Sequence, residues 1–286
     1  DSDNHLERII GTKDLIAMGI GVVIGTGIFI LPGTVAATHS GPAITISFIL
    51  AAIVCSTSAL CYAEFSSALP VAGSAYSFGN VIFGELIGWI LGWALILEYM
   101  LAVAAVATGW ASYFNSFIAG FGIHIPKAVS GPFNPAQGTY VNLTAMLIVL
   151  FISFLLSRGV QASIRLNNIM VYLKIAIILL FVIVGAFFVK PANWNPYMPF
   201  GIKGVFTGAS TVFFAYLGFD VIASSAAEVK NPKRSMPAGI LGTLSITTVL
   251  YIAVAAVLTG MVKYTKLDVG NPVSYAMQLA HQDWFA

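Results

Sequence analysis

Seven stretches of this chain stay apolar for long enough to cross a bilayer, which takes about 20 helical residues. They lie near residues 14–37, 42–68, 84–118, 140–157, 166–189, 204–227 and 237–262, and each predicts a membrane-spanning helix. Between the third and fourth, Gly120, Gly122, Pro126, Gly131, Pro132, Pro135 and Gly138 crowd together as turn formers do. That cluster predicts an external loop with little helix.

Two of the seven stretches carry a contrary signal. The first runs Met18, Gly19, Ile20, Gly21, Val22, Val23, Ile24, Gly25, Thr26, Gly27, Ile28, Phe29, Ile30, Leu31, Pro32. Small residues four apart let membrane helices approach closely, but packing needs one small stripe and these glycines lie on several faces. The segment is therefore expected to unwind around Gly25, Thr26 and Gly27. The sixth stretch holds Gly218 and Asp220 where a lipid-facing helix would carry neither, and unwinding is expected near Phe214 to Gly218. The hydrocarbon core has no water to satisfy freed backbone groups, so such turns persist only where they line a protein cavity or hold a ligand. A pair of broken spans is the best sequence pointer to a transporter's substrate site.

Composition fits that picture. Hydrophobic residues make up 58% of the chain and charged residues 8%, against roughly 25% charged in a soluble domain. A net charge of +2, with thirteen basic residues spread along the chain instead of massed on one face, excludes a nucleic-acid partner. Cys55 and Cys61 lie six residues apart, which is about 9 Å along a helix and on different faces, so neither a disulfide nor a metal site is expected. Asn142, Leu143 and Thr144 form a glycosylation triplet that reads as a chance match at a membrane edge. The chain opens on Asp1 without a methionine and stops at Ala286, which suggests a fragment. No charged n-region with a small-residue cleavage site precedes the first stretch, so it reads as a retained span. With the N-terminus cytoplasmic, the inner side holds Arg8, Lys13, Arg158, Arg165, Lys230, Lys233 and Arg234; the outer side holds Lys127, Lys190, Lys203, Lys263 and Lys266. All four arginines then lie inside, the orientation that loop basicity favours.

The candidate chemistry follows from the two breaks. An unwound turn at Gly25 to Gly27 exposes amides at the start of the next half-helix, at the positive end of its dipole, where a carboxylate fits. Unwinding near Phe214, Ala215 and Leu217 frees carbonyl oxygens at the end of another, and these attract an ammonium group. One site offering both suits a zwitterion. Lys174 lies nine residues beyond Arg165, about 13 Å along a helix, too deep to snorkel comfortably, and a charge at that depth is functional by default. Glu98, mid-span among Ile96, Leu97, Tyr99 and Met100, must face the bundle. It reads as a carboxyl holding a broken helix, as a second protonatable group, or as a counter-charge for a basic substrate. Asp220 reads as facing the substrate cavity or as capping the second half of the sixth span, and capping is the expectation. Glu64 with Pro70, Gly73 and Tyr76, and Glu228 with Arg234, fall at cytoplasmic ends and suit a closing gate, or simple interfacial solvation. The four histidines, His5, His39, His124 and His281, lie outside the spans and assemble no buried catalytic group, so an enzyme is not expected.

The chain resembles the amino acid, polyamine and organocation transporter superfamily, and within it the cationic amino acid transporters and their bacterial relatives. The resemblance rests on Gly21 to Phe29 in the first span and Phe213 to Asp220 in the sixth. It continues through Ala227, Glu228, Val229, Lys230, Asn231, Pro232, Lys233, Arg234, Ser235, Met236 and Pro237. It implies an all-α polytopic fold of the LeuT-like inverted-repeat type, with discontinuous first and sixth helices and seven of twelve spans present. Residues 1–189 would form the first five-helix repeat and 190–286 the start of the second, leaving out the eighth span that walls the ion site. Lys174 matches the lysine that in proton-coupled relatives looks to replace a sodium ion, and Glu98 matches a functionally sensitive glutamate. The expected protein is a proton-coupled amino acid symporter of the cell membrane. Ile24, Gly25, Thr26, Gly27, Phe214, Ala215 and Leu217 would bind a small neutral or cationic amino acid, and the proton would be the coupling ion with no other cofactor. An exchanger of the same fold, with Lys174 as a fixed cation, stands beside it. A seven-helix receptor or retinal-type protein with a lysine Schiff base is the remote alternative.

Overall fold

The structure, a computed structural model, describes residues 10–69, 73–157 and 160–281, apart from the side chains of Thr26 and residues 160–168. Arg8, Pro70, Arg158 and the Arg165 side chain, all named above, lie outside it. The described membrane stretches are helical except at two short breaks. Helices α1 (Thr12–Val23), α2 (Thr26–Phe29) and α3 (Leu31–Val35) make up the first apolar stretch, and α4 (Ile44–Ala68) the second. Short α5 (Ser74–Phe83) leads into the 35-residue α6 (Glu85–Ala119). Then follow α7 (Leu143–Ser157), α8 (Val160–Ala186), α9 (Gly201–Val212), α10 (Phe219–Ser224), α11 (Pro232–Met261) and α12 (Pro272–Leu279).

Among the described residues, five helical stretches are long and apolar enough to cross a membrane: Leu31–Ala68, Glu85–Ala119, Ile169–Ala186, Gly201–Ser224 and Pro232–Met261. Two of the seven expected spans are not among these five stretches. The first is cut into α1, α2 and α3, and the fourth is the 15-residue α7. The external loop behaves as its turn formers predict, with 3-10 turns at Lys127–Val129 and Pro135–Gln137 and the isolated bridges Ser130–Asn142 and Asn134–Thr139. Asn142 there accepts a hydrogen bond from the Ala145 N–H at 3.1 Å, capping α7. Cys55 and Cys61 are both free.

Both breaks have local causes. α1 stops at Ile24, whose backbone turns extended (φ −75°, ψ 100°), and Gly25 follows before α2 begins at Thr26. α9 tightens into a 3-10 turn over Phe213–Tyr216, Leu217 is extended, and Gly218 takes φ +118° before α10 starts. That left-handed conformation is open to glycine at no steric penalty and costs a side chain roughly 1–2 kcal/mol. α1 and α9 have 12 residues each, or about 18 Å of helix, so both stop partway through an apolar core about 30 Å thick.

α11 is the centre of the bundle, with Phe48 of α4 and Tyr216 against its Tyr251 at ring distances of 5.2 and 5.1 Å. Its crossing with α1 depends on missing side chains. A Cβ on Gly19 would strike Thr243 and Ile222, and one on Gly239 would lie 2.9 Å from the Leu15 Cβ. Small residues of this kind bring membrane helices close enough for van der Waals contact to hold them. Among the described residues no buried side-chain nitrogen or oxygen lacks a partner, as a water-free interior requires. α6, by contrast, buries only Gly88, Ala107, Gly109 and Ala111 of its 35 residues.

Candidate functional site

The end of α1 leaves its last carbonyls without intrahelical partners. Two side chains from elsewhere take them. Lys174 of α8 donates from Nζ to the Gly21 carbonyl at 3.2 Å and the Ile24 carbonyl at 3.1 Å. Tyr251 of α11, fully buried, places its hydroxyl 3.0 Å from the Val23 carbonyl and 2.6 Å from the Ala215 carbonyl. One phenol therefore bridges the first break to the second. Tyr113 of α6 donates to the Phe29 carbonyl at 2.6 Å, at the far end of α2.

The half-helices approach without side chains between them. A Cβ on Gly27 would lie 2.7 Å from the Ala215 Cβ and 2.8 Å from its Cα, so only glycine permits this contact. Beside it opens a cavity of about 130 Å³, whose lining includes Gly25, Gly27, Glu98, Phe214, Ala215 and Leu217. A volume of that order admits a small solute.

Glu98 therefore does face the bundle, on the cavity wall. Asp220 does not cap α10. That helix has Gly218 at its N-cap with no side-chain cap bond, and the Asp220 carboxylate accepts a hydrogen bond from the Tyr99 hydroxyl of α6. A phenol in hand satisfies the buried acid and ties α10 to α6. The Asp220 backbone carbonyl accepts from Ser74 of α5 at 3.2 Å, and Phe219 meets the Tyr62 ring of α4 at 5.6 Å.

Other expectations need correction. The unwound residues of the first break are Ile24 and Gly25, while Thr26 and Gly27 already open α2, because one extended residue followed by glycine suffices to turn the chain. Ile24 is buried against Lys174 and does not line the cavity; the Thr26 side chain lies outside the described residues. Of the carbonyls assigned to an ammonium, that of Ala215 accepts from Tyr251 and that of Phe214 from the Leu217 N–H at 3.3 Å, leaving each a second lone pair. The gate residues do not come together. Glu64 and Arg234 are exposed, Tyr76 packs over Gly92, and among the described residues no ion pair joins Glu228 to Arg234. The Glu228 segment is held through its backbone, with the Ile10 N–H donating to the Glu228 carbonyl at 3.1 Å.

Tyr251 escaped the sequence reading because a tyrosine in an apolar helix looks like packing. Its signal was a phenol in mid-membrane, where an O–H must find an acceptor. Tyr251→Phe keeps the ring and removes that donor, leaving the Val23 and Ala215 carbonyls without it. The expected cost is about 1–3 kcal/mol, read as a lowered melting temperature in detergent together with weaker ligand affinity. A variant as stable and as tight as the parent would refute the bridging role.

A multi-pass helical membrane protein with two interrupted spans around a small central cavity defines a transporter-like class. The amino acid permease family model matches residues 10–286, and the chain belongs to that family. It is 56% identical to the methylthioribose transporter of Bacillus subtilis over 97% of this chain and 60% of that protein. It is 50% identical to the branched-chain amino acid permease BcaP of the same organism over 99% of this chain and 62% of that protein. The vacuolar cationic amino acid transporter 4 of Arabidopsis thaliana is 36% identical over 100% of this chain and 48% of its own length. The chain thus spans about 60% of the length of the first two relatives. These relatives are named as transporters or permeases, not enzymes.

Proposed function

We propose that the protein is a secondary active amino acid transporter that works by alternating access, with a proton as the coupling ion. The observation that carries this reading is the pairing of two mid-membrane breaks across one small cavity, with Lys174 holding carbonyls at the first. In this reading the substrate carboxylate docks on the amides of Gly25, Thr26 and Gly27 at the start of α2, where first-turn N–H groups lack intrahelical acceptors. The ammonium group takes the remaining lone pairs around Phe214, Ala215 and Leu217, and Glu98 stands on the wall as a counter-charge or second proton site. Phe214 acts as lid, since it lines both this cavity and a second one beyond it. α1 and α9–α10 then rock against the rest of the bundle.

Residues 1–189 and 190–286 are read as one five-helix repeat and the beginning of its inverted partner. Glu64, Tyr76, Glu228 and Arg234 are read as parts of an inner gate that assembles only on closure. The membrane is taken to be the cell membrane, with the N-terminus cytoplasmic and no cofactor beyond the proton. The substrate is a small neutral or cationic amino acid, in line with the names of BcaP and the Arabidopsis protein.

A second reading takes its support from the methylthioribose transporter, whose name denotes a thio-sugar with neither ammonium nor carboxylate. A panel of labelled amino acids and methylthioribose, offered to the intact protein in proteoliposomes with and without an inward pH gradient, separates the readings. Gradient-dependent accumulation of an amino acid is the expected result. Uptake of the thio-sugar alone would replace the substrate, and counterflow indifferent to the gradient would make the protein an exchanger.

A further inference from the structure

A cavity of about 580 Å³ lies beyond Phe214, on the side away from the N-terminus, and Phe214 is a wall of both this vestibule and the central cavity. Its polar lining is one-sided chemically. Thr34, Thr108 and Ser112 each spend their hydroxyl hydrogen on a carbonyl of their own helix or its neighbouring turn, on Ile30, Ala104 and Thr108 respectively. What these oxygens still offer is lone pairs. Among the described residues, the remaining polar side chain in the lining is the Asp268 carboxylate, and no lysine, arginine or histidine lines the vestibule. Most of the wall is apolar, with Ile30, Leu31, Ala104, Ala105 and Val269 in it, so the polarity the described lining offers is a few acceptor oxygens and one negative charge.

The surroundings sharpen this. The same side of the molecule carries Lys127, Lys190, Lys203, Lys263 and Lys266, and among the described residues Asp268 is its only acid. Asp268 is exposed, and no described ion pair claims it. Its position is nevertheless fixed. Leu267 is fully buried, a Cβ on Gly270 would lie 2.9 Å from the Ser112 hydroxyl, and Asn271 donates to Ser116 at 2.9 Å. The loop is thus clamped on α6 with its one carboxylate at the vestibule.

We propose that this vestibule is a capture site for the ammonium group of incoming substrate, with Asp268 as its charge partner and Phe214 as the barrier to the central cavity. The inference rests on the transport reading above and adds a second, outer station to it. A cation is drawn in by Asp268, the one acid among the described residues of a lysine-bearing face, held loosely against acceptor oxygens, and handed past Phe214. An exposed pair of this kind is weak and screened by salt, which suits a station that must release its occupant.

The test is kinetic and sided. In intact cells, where substrate meets this face under the proposed orientation, Asp268→Asn should raise the uptake KM about threefold at low ionic strength with an unchanged maximal rate. Asp268→Glu should restore it, and raising ionic strength should raise the KM of the parent but not of Asp268→Asn. In inside-out vesicles, KM should not differ between parent and variant. Equal KM values for parent and Asp268→Asn in cells would overturn the capture site, as would an equal rise from both sides. If the parent takes up no amino acid at all, the transport reading has failed instead, which the parent alone reveals.

Discussion

Gly27→Leu should lose substrate binding by about 100-fold or more while the protein still folds and inserts. The added Cβ has nowhere to go, because Ala215 presents its Cβ at 2.7 Å and its Cα at 2.8 Å, and backbone cannot swing aside as a flexible side chain would. The two half-helices must part, at a strain of about 1–3 kcal/mol for a packed interior. Parting them spoils the amide cluster at the start of α2, and charge-assisted hydrogen bonds of that kind are worth about 1.5–3 kcal/mol, where 1.4 kcal/mol is tenfold in affinity. Gly25→Ala is the contrast. A Cβ there meets only the Val106 Cγ2 at 3.8 Å, an ordinary contact, so its affinity should fall far less. A thermal-shift titration of both variants against a saturating amino acid decides the matter. Equal losses at the two glycines, or retained affinity in Gly27→Leu, would remove the first break from the substrate site.

The contrast between these glycines also shows what a sequence makes legible. That the first and sixth stretches are interrupted follows from one-dimensional chemistry, since Gly25 and Gly218 sit inside apolar runs where a helix has no use for them. Where each turn falls to the residue does not follow. It depends on Ile24 becoming extended once Lys174 and Tyr251 stand ready to take carbonyls from α1, and those partners lie 150 and 228 positions away in the chain. The fate of Asp220 was hidden for the same reason. Local rules place an acid in a first helical turn as a cap, whereas α6 delivers the Tyr99 phenol to it. The depth of Lys174 and the inward aspect of Glu98 were readable from the expense of charge in a membrane. The partners of those charges, and the clamped loop that carries Asp268, exist only once the helices are packed.

Lys174→Ala should abolish pH-driven accumulation, leaving at most equilibration of substrate across the membrane. The ammonium group is the sole described side chain on the Gly21 and Ile24 carbonyls, so its removal strips both charge and support from the end of α1. Leaving such carbonyls unpaired costs about 1–3 kcal/mol each, and some loss of thermal stability is therefore expected from the alanine variant under either reading of the lysine. Lys174→Gln separates support from proton. Its amide has two N–H donors for the two carbonyls but no proton to exchange, so it should recover stability and ligand affinity relative to alanine without recovering accumulation. Measured in proteoliposomes under an imposed pH gradient, a glutamine variant that concentrates substrate as the parent does would reduce Lys174 to a structural prop. Counterflow would then have to persist in the parent with no gradient at all, and exchange would be the protein's transport mode.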